Sequence, residues 1–68
     1  MQKRIAEKSL GTVTIMNTDH VRTAYVEREQ FGNQRPQWTV AVVCNGVAEY
    51  SKTFRSRLDA LVMFESLT

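Results

Sequence analysis

The sequence predicts an α+β fold: a four-stranded, mainly antiparallel sheet followed by one C-terminal helix, in the order ββββα. Three observations support this prediction. β-branched residues are frequent in the first half of the chain, an Asn-Gly pair interrupts a later apolar stretch, and a helix-capping serine follows. With 68 residues, the chain has room for one domain. Its expected parts are a loosely ordered arm at 1–9, a sheet at 10–54 and a helix at 56–67.

The first half of the chain is predicted to form a β-hairpin behind the arm. Residues 1–9 are polar and show no clear hydrophobic period. Further along, Val13 and Ile15 alternate with threonines and therefore share one face of an extended strand. The expected strands are 10–17 and 20–29, with turn-forming residues at 17–20 between them.

A second hairpin is predicted from the next segment. The stretch from Trp38 to Cys44 is almost continuously apolar and β-branched, which is typical of a central strand. Asn45-Gly46 indicates a two-residue type I′ turn, because that turn needs positive φ at both positions. With this loop length Cys44 faces Val47, and continued pairing puts Trp38 opposite Thr53.

This register assigns the second hairpin two different faces. The face with enough bulk for a core contains Trp38, Val40, Val42 and Cys44, with Val47, Glu49, Ser51 and Thr53 on the partner strand. The other face is semi-apolar and contains Thr39, Ala41, Val43, Ala48, Tyr50 and Lys52.

The chain is expected to end in a helix over residues 57–67. Ser56 is a suitable N-cap, and Asp59 stands at the third helical position. At 100° per residue the apolar residues form two sets. The first set comprises Ala60, Met63, Phe64 and Leu67; the second, roughly opposite, comprises Leu58, Leu61 and Val62. A lone helix on an open sheet needs one apolar stripe, so the second set is surplus.

Composition excludes several functional classes. One cysteine cannot form an internal disulfide, and one histidine with one cysteine is no metal site, so no metal or cofactor is expected. His20 has no nucleophile spaced to use it, and the glycines are too scattered for a phosphate-binding loop; no catalytic residue is expected and the protein is predicted not to be an enzyme. A free thiol and the lack of a run of ~20 apolar residues favour a cytoplasmic protein without membrane contact.

Two binding hypotheses remain. The surplus helix residues Leu58, Leu61 and Val62, together with Tyr50, form a candidate interface for a partner protein or for a homodimer, because contiguous exposed apolar surface usually marks a partner site. The alternative is a sheet that binds nucleic acid through Arg22, Arg28, Arg35 and Lys52. The net charge of +2 is modest for that role, and Glu27 and Glu29 are expected to neutralise the neighbouring arginines.

The stretch WTVAVVCNGVAEYSKTFRSRLDALVMFESL, from Trp38 to Leu67, resembles several small families. It is similar to the arm-binding domains of phage integrases, a resemblance that implies a sheet that reads DNA. It also distantly resembles the second half of double-stranded RNA-binding domains, although Arg55 and Arg57 stand where those have a run of lysines. Short phage-encoded inhibitors of host machinery, including anti-CRISPR proteins, share this size and composition. The leading prediction is a phage or mobile-element factor that docks on a host protein complex and modulates it.

Overall fold

The computed structural model describes residues 2–68 and contains one four-stranded antiparallel sheet followed by one helix. The predicted ββββα fold is therefore confirmed. Sequential strands are neighbours in the sheet, in the order β1-β2-β3-β4. The elements are β1 (Gln2–Ile15), β2 (Thr18–Glu29), β3 (Gln37–Cys44), β4 (Val47–Phe54) and α1 (Arg57–Ser66).

The core lies between α1 and one face of the sheet. Val26 and Val40 in the two central strands are fully buried, and Ala60 and Phe64 cover them from the helix. Cys44 is also buried, as expected of a small hydrophobic side chain at the end of a central strand. The apolar face predicted for β3 is thus the one that packs against the helix.

The N-terminal segment corrects the sequence prediction. Residues 2–9 form the first part of β1 rather than a loosely ordered arm, while Met1 lies outside the described residues. Pairing runs from Gln2 opposite Glu29 to Ile15 opposite Thr18. Two irregularities, at Ile5 and at residues 10–11, shift the register and break the period-2 alternation. Because β1 is also an edge strand with a polar outer face, neither alternation nor apolarity shows in the sequence of residues 2–9.

The first turn also differs from the prediction. Met16 and Asn17, rather than residues 17–20, connect the two strands. Both have positive φ, 50° and 65°, as a type I′ turn requires. A methionine is uncommon in this conformation, so the sequence pattern placed the turn at the more usual turn formers that follow.

The second hairpin has the predicted turn but not the predicted register. Asn45 and Gly46 have φ of 54° and 73°, and Cys44 pairs with Val47. An extra residue on β4, Glu49, then shifts the pairing, so that Trp38 lies opposite Phe54 rather than Thr53. This bulge brings Phe54, Tyr50 and Lys52 to the helix-covered face. The assignment of Tyr50 and Lys52 to the opposite face was therefore wrong, because turn geometry alone cannot reveal a bulge three residues beyond the turn.

The helix begins as predicted and ends one residue earlier. The Ser56 Oγ accepts a hydrogen bond of 3.4 Å from the backbone N–H of Asp59, which confirms the N-cap. The first apolar set faces the sheet, with Met63 and Leu67 packed around the buried residues. Leu61 was assigned to the outer set, but it is half-buried against the core, since it lies three residues before the buried Phe64 and is its neighbour on the helix surface.

Candidate binding surfaces

The β1–β2 hairpin extends beyond the four-stranded part of the sheet. β3 pairs with β2 only from Arg22 to Glu29, so residues 18–21 have β1 as their one strand neighbour. The molecule is correspondingly elongated, with extents of 47 × 22 × 15 Å. We call residues 12–21, which form this two-stranded extension, the hairpin tip.

The hairpin tip exposes several large apolar side chains. The side chain of Met16 is 94% exposed and that of Val21 is 56% exposed. Val13 and Ile15 are 38% and 40% exposed. None of these four side chains packs against the hydrophobic core. A two-stranded ribbon has no covering layer, so the fold itself offers no means of burying them.

The backbone at Met16 is also unfavourable for its side chain. At φ 50° the Cβ approaches the following carbonyl, a conformation that costs an L-residue about 1 kcal/mol and that asparagine or glycine tolerates better. The turn thus holds a long, unbranched apolar side chain at its apex at some cost in stability. A methionine side chain adapts readily to irregular apolar surfaces, so this position is suited to contact with another molecule.

A second exposed apolar surface lies on the outer side of α1. Leu58 and Val62 are 70% and 61% exposed, and their separation of four residues makes them neighbours on the helix surface. We call this pair the helix stripe. The other two residues of the predicted interface, Leu61 and Tyr50, are half-buried and pack against the core, which leaves less of each for a partner.

The sheet face away from the helix carries carboxylates. Glu7 and Glu27 flank the Arg4 guanidinium at 3.5 and 3.3 Å, and that guanidinium lies 4.0 Å from the centre of the Tyr25 ring. Glu29 lies on the same face, since it is two residues from Glu27 on β2. This open face is a polar, internally paired surface rather than a row of free cations.

The residues of the nucleic-acid hypothesis do not form one surface on that open face. Arg22 is paired with Glu49 at 2.9 Å, and this bond raises the pKa of the guanidinium above its ordinary value. Lys52 lies over the Phe54 ring at 5.2 Å. Arg28 points to the helix-covered side, because it pairs directly with Trp38 in the register of β2 and β3. The fourth residue, Arg35, is exposed in the β2–β3 loop.

The expected neutralisation of Arg28 by neighbouring glutamates is wrong. Glu27 and Glu29 alternate with Arg28 along β2 and therefore point to the opposite face. The guanidinium Nη2 of Arg28 instead donates to the Gln30 side-chain oxygen at 3.0 Å, a neutral partner. On the helix-covered side, no carboxylate among the described residues forms an ion pair with Arg28.

Arg28 lines an open groove of about 420 Å³ at the end of the sheet where α1 begins. We call it the basic groove; its other lining residues are Lys3, Ile5, Trp38 and Arg57. The sequence analysis noted Arg57 at the start of the helix, but it assigned no binding role to Lys3 and did not bring the two together. The pairing of Lys3 with Arg28 could have revealed the cluster, but it depends on the N-terminal strand that the sequence pattern conceals.

The described residues contain neither a metal site nor a helix that could cross a membrane. Within residues 2–68, no cluster of three or more His, Cys, Asp or Glu side chains is arranged to hold a metal ion. No helix in the same range combines the length and apolarity that crossing a membrane demands. Comparison of the chain with protein-family models, curated proteins and solved structures finds no match. The resemblances to phage proteins therefore remain predictions.

Proposed function

We propose that this is a small non-enzymatic binding protein that docks on another protein through its hairpin tip. The observation that carries the proposal is Met16, whose side chain is 94% exposed at a turn position with φ 50°. A residue that served only to close the turn would be better replaced by asparagine or glycine. We therefore infer that Met16 is present for its exposed side chain rather than for the geometry of the turn.

The surroundings of Met16 support a partner with an apolar recess. Val13, Ile15 and Val21 extend the apolar surface along the ribbon behind it. A projecting ribbon of this kind can enter a groove on a larger protein and bury apolar side chains on both of its faces. The resemblance to phage-encoded inhibitors favours a host protein complex as that partner, with the chain acting as its modulator.

The proposal is tested with two variants of adjacent residues. Met16→Asn keeps a residue that tolerates positive φ but removes the apolar side chain, and it should abolish capture of the partner from nuclease-treated cell lysate. Asn17→Gly is the matched control, because it also suits a type I′ turn and leaves Met16 in place. It should capture the same partner as the unmodified protein.

Full capture by Met16→Asn would contradict docking through the tip. Loss of capture by both variants would also contradict it, since the effect would then follow turn geometry rather than the methionine side chain. Capture that disappears on nuclease treatment would show that nucleic acid, not protein, bridges the interaction.

Self-association through the helix stripe is a second candidate, favoured by the exposed pair of Leu58 and Val62. Sedimentation should then show a dimer that Val62→Glu dissociates without loss of the fold. A monomer at all concentrations would exclude it. Nucleic-acid binding by the sheet stays a prediction, and the carboxylates of the open face give it little support because phosphate binding depends on uncompensated cations.

A further inference from the structure

The basic groove combines side chains from both ends of the chain and from its middle. Lys3 of β1 lies opposite Arg28 of β2, and Arg28 lies opposite Trp38 of β3, so the three share the helix-covered face of adjacent strands. Arg57, the first residue of α1, completes the lining. The fold thus places three cations around one opening.

The charges of the groove are not balanced from within. Among residues 2–68, the groove lining includes no carboxylate. Within the same range, none of Lys3, Arg28 and Arg57 forms an ion pair. By contrast, Arg4 and Arg22 elsewhere on the sheet both have glutamate partners. Three like charges around a cavity repel one another, and a bound anion would relieve that repulsion.

The groove also contains an aromatic wall, the side chain of Trp38. The indole Nε1 of Trp38 is buried and meets no acceptor among residues 2–68. A buried donor without a partner is uncommon in folded proteins. Ile5 adds apolar surface beside the indole. Because this nitrogen is itself buried, the ring of Trp38 and the side chain of Ile5 are what a ligand with a planar apolar part would contact.

We propose that the basic groove binds the phosphates of single-stranded nucleic acid, with an unpaired base against the wall formed by Trp38 and Ile5. Arginine guanidinium groups match phosphate oxygens in a two-pronged geometry, and aromatic side chains accept unpaired bases with little sequence preference. The ligand is therefore a phosphate chain with accessible bases rather than a simple anion.

A neighbouring cleft favours a strand over a free nucleotide. About 270 Å³ in volume, it is lined by Arg35, Arg55 and three uncharged residues of the β2–β3 loop and β3. Arg55 is two residues from Arg57, and the adjoining Gln37 precedes Trp38, so the cleft lies at the same end of the molecule as the basic groove. Two basic openings at one end of the molecule can accept different phosphates of one chain.

Binding can be followed on the full-length protein in two ways. The protein contains one tryptophan, so intrinsic fluorescence reports directly on Trp38, and anisotropy reports on a labelled short oligothymidylate. Contacts to three phosphates predict roughly 20-fold weaker binding between about 50 and 200 mM salt, from a slope of about 0.7 per contact for single strands. Thymidine monophosphate and inorganic phosphate serve as the free-phosphate probes, and a duplex of equal length tests the need for unpaired bases.

Paired variants locate the site. The double variant Lys3→Gln/Arg57→Gln changes two exposed side chains and should reduce the salt effect to roughly 3-fold over the same range, as one remaining contact predicts. Its affinity for the strand at low salt should fall at least about tenfold. Arg4→Gln combined with Lys8→Gln is the control: it removes one arginine and one lysine outside the groove and should leave low-salt affinity within about twofold, since non-specific attraction alone depends on net charge.

The outcomes decide between sources of phosphate. Strand binding with a shift in Trp38 fluorescence, lost in the groove variant and kept in the control, supports the proposal. Equal binding of thymidine monophosphate would assign the groove to free nucleotides and contradict the proposal that it binds a nucleic-acid strand. Tighter binding of the duplex would contradict the proposed contact with an unpaired base. Absence of binding at low salt, or equal losses in both double variants, would overturn the site itself.

Discussion

β2 passes through two environments along its length. Ala24 and Val26 are fully buried between neighbouring strands and beneath the helix, whereas Val21, earlier in the same strand, is 56% exposed. The difference arises because β3 ends at Cys44, opposite Arg22, and leaves the first residues of β2 paired with β1 alone. Two strands without a covering layer are marginally stable in water. The body of the sheet therefore stabilises the fold, while the hairpin tip presents apolar side chains that the fold does not use.

The largest expected loss of stability comes from truncating a core side chain in the part of the sheet that the helix covers. Val40→Ala removes two methyl groups from a fully buried site and should lower the free energy of unfolding by about 2 kcal/mol, from lost burial and the cavity left behind. Val21→Ala in the tip is the matched change and should cost less than about 0.5 kcal/mol. Urea denaturation followed by Trp38 fluorescence measures both, and equal losses would mean that the tip is part of the cooperative core.

A smaller effect, of opposite sign, is expected at the turn. Met16→Asn should raise the free energy of unfolding by up to about 1 kcal/mol, because asparagine tolerates positive φ better than methionine. Thermal unfolding of the variant and the unmodified protein gives the difference. A decrease in stability would indicate that the methionine side chain packs within its own chain, contrary to its exposure of 94% in the structure.

The smallest effect is expected for the ion pair at the border of the two regions. Glu49→Gln removes the 2.9 Å contact with Arg22, and the resulting loss of stability should be slight because exposed pairs are screened by water and salt. High salt should abolish the difference between variant and unmodified protein. The hydrogen bond raises the pKa of Arg22, so the arginine half of the pair stays protonated and its contribution would be lost only at extreme alkaline pH. A loss that persists in high salt would argue for a packing role of Glu49.

The parts of the fold that were predictable from sequence are those set by local chemistry. The turn at Asn45-Gly46 and the cap at Ser56 each depend on a few adjacent residues, and both occur as expected. The strand at residues 2–9 was missed because it is held by its pairing with β2, while the register shift at Ile5 interrupts the alternation that would have marked it in the sequence. Local patterns do not encode such long-range pairing.

The same distinction applies to the candidate surfaces. Helical periodicity correctly put Leu58 and Val62 on the outside of α1, because the helix repeat is regular. Tyr50 was misplaced by the bulge at Glu49. The basic groove and the hairpin tip were not predicted, because one depends on strand register and the other on β1 and β2 extending beyond β3.

Amide hydrogen exchange on the full-length protein, alone and with the captured partner, tests the central claim most directly. The account predicts that backbone amides of residues 12–21 exchange much faster than those of Ala24 and Val40 in the free protein, and become protected when the partner is added. Protection of the tip equal to that of the body in the free protein, or tip exchange that the partner leaves unchanged, would contradict it.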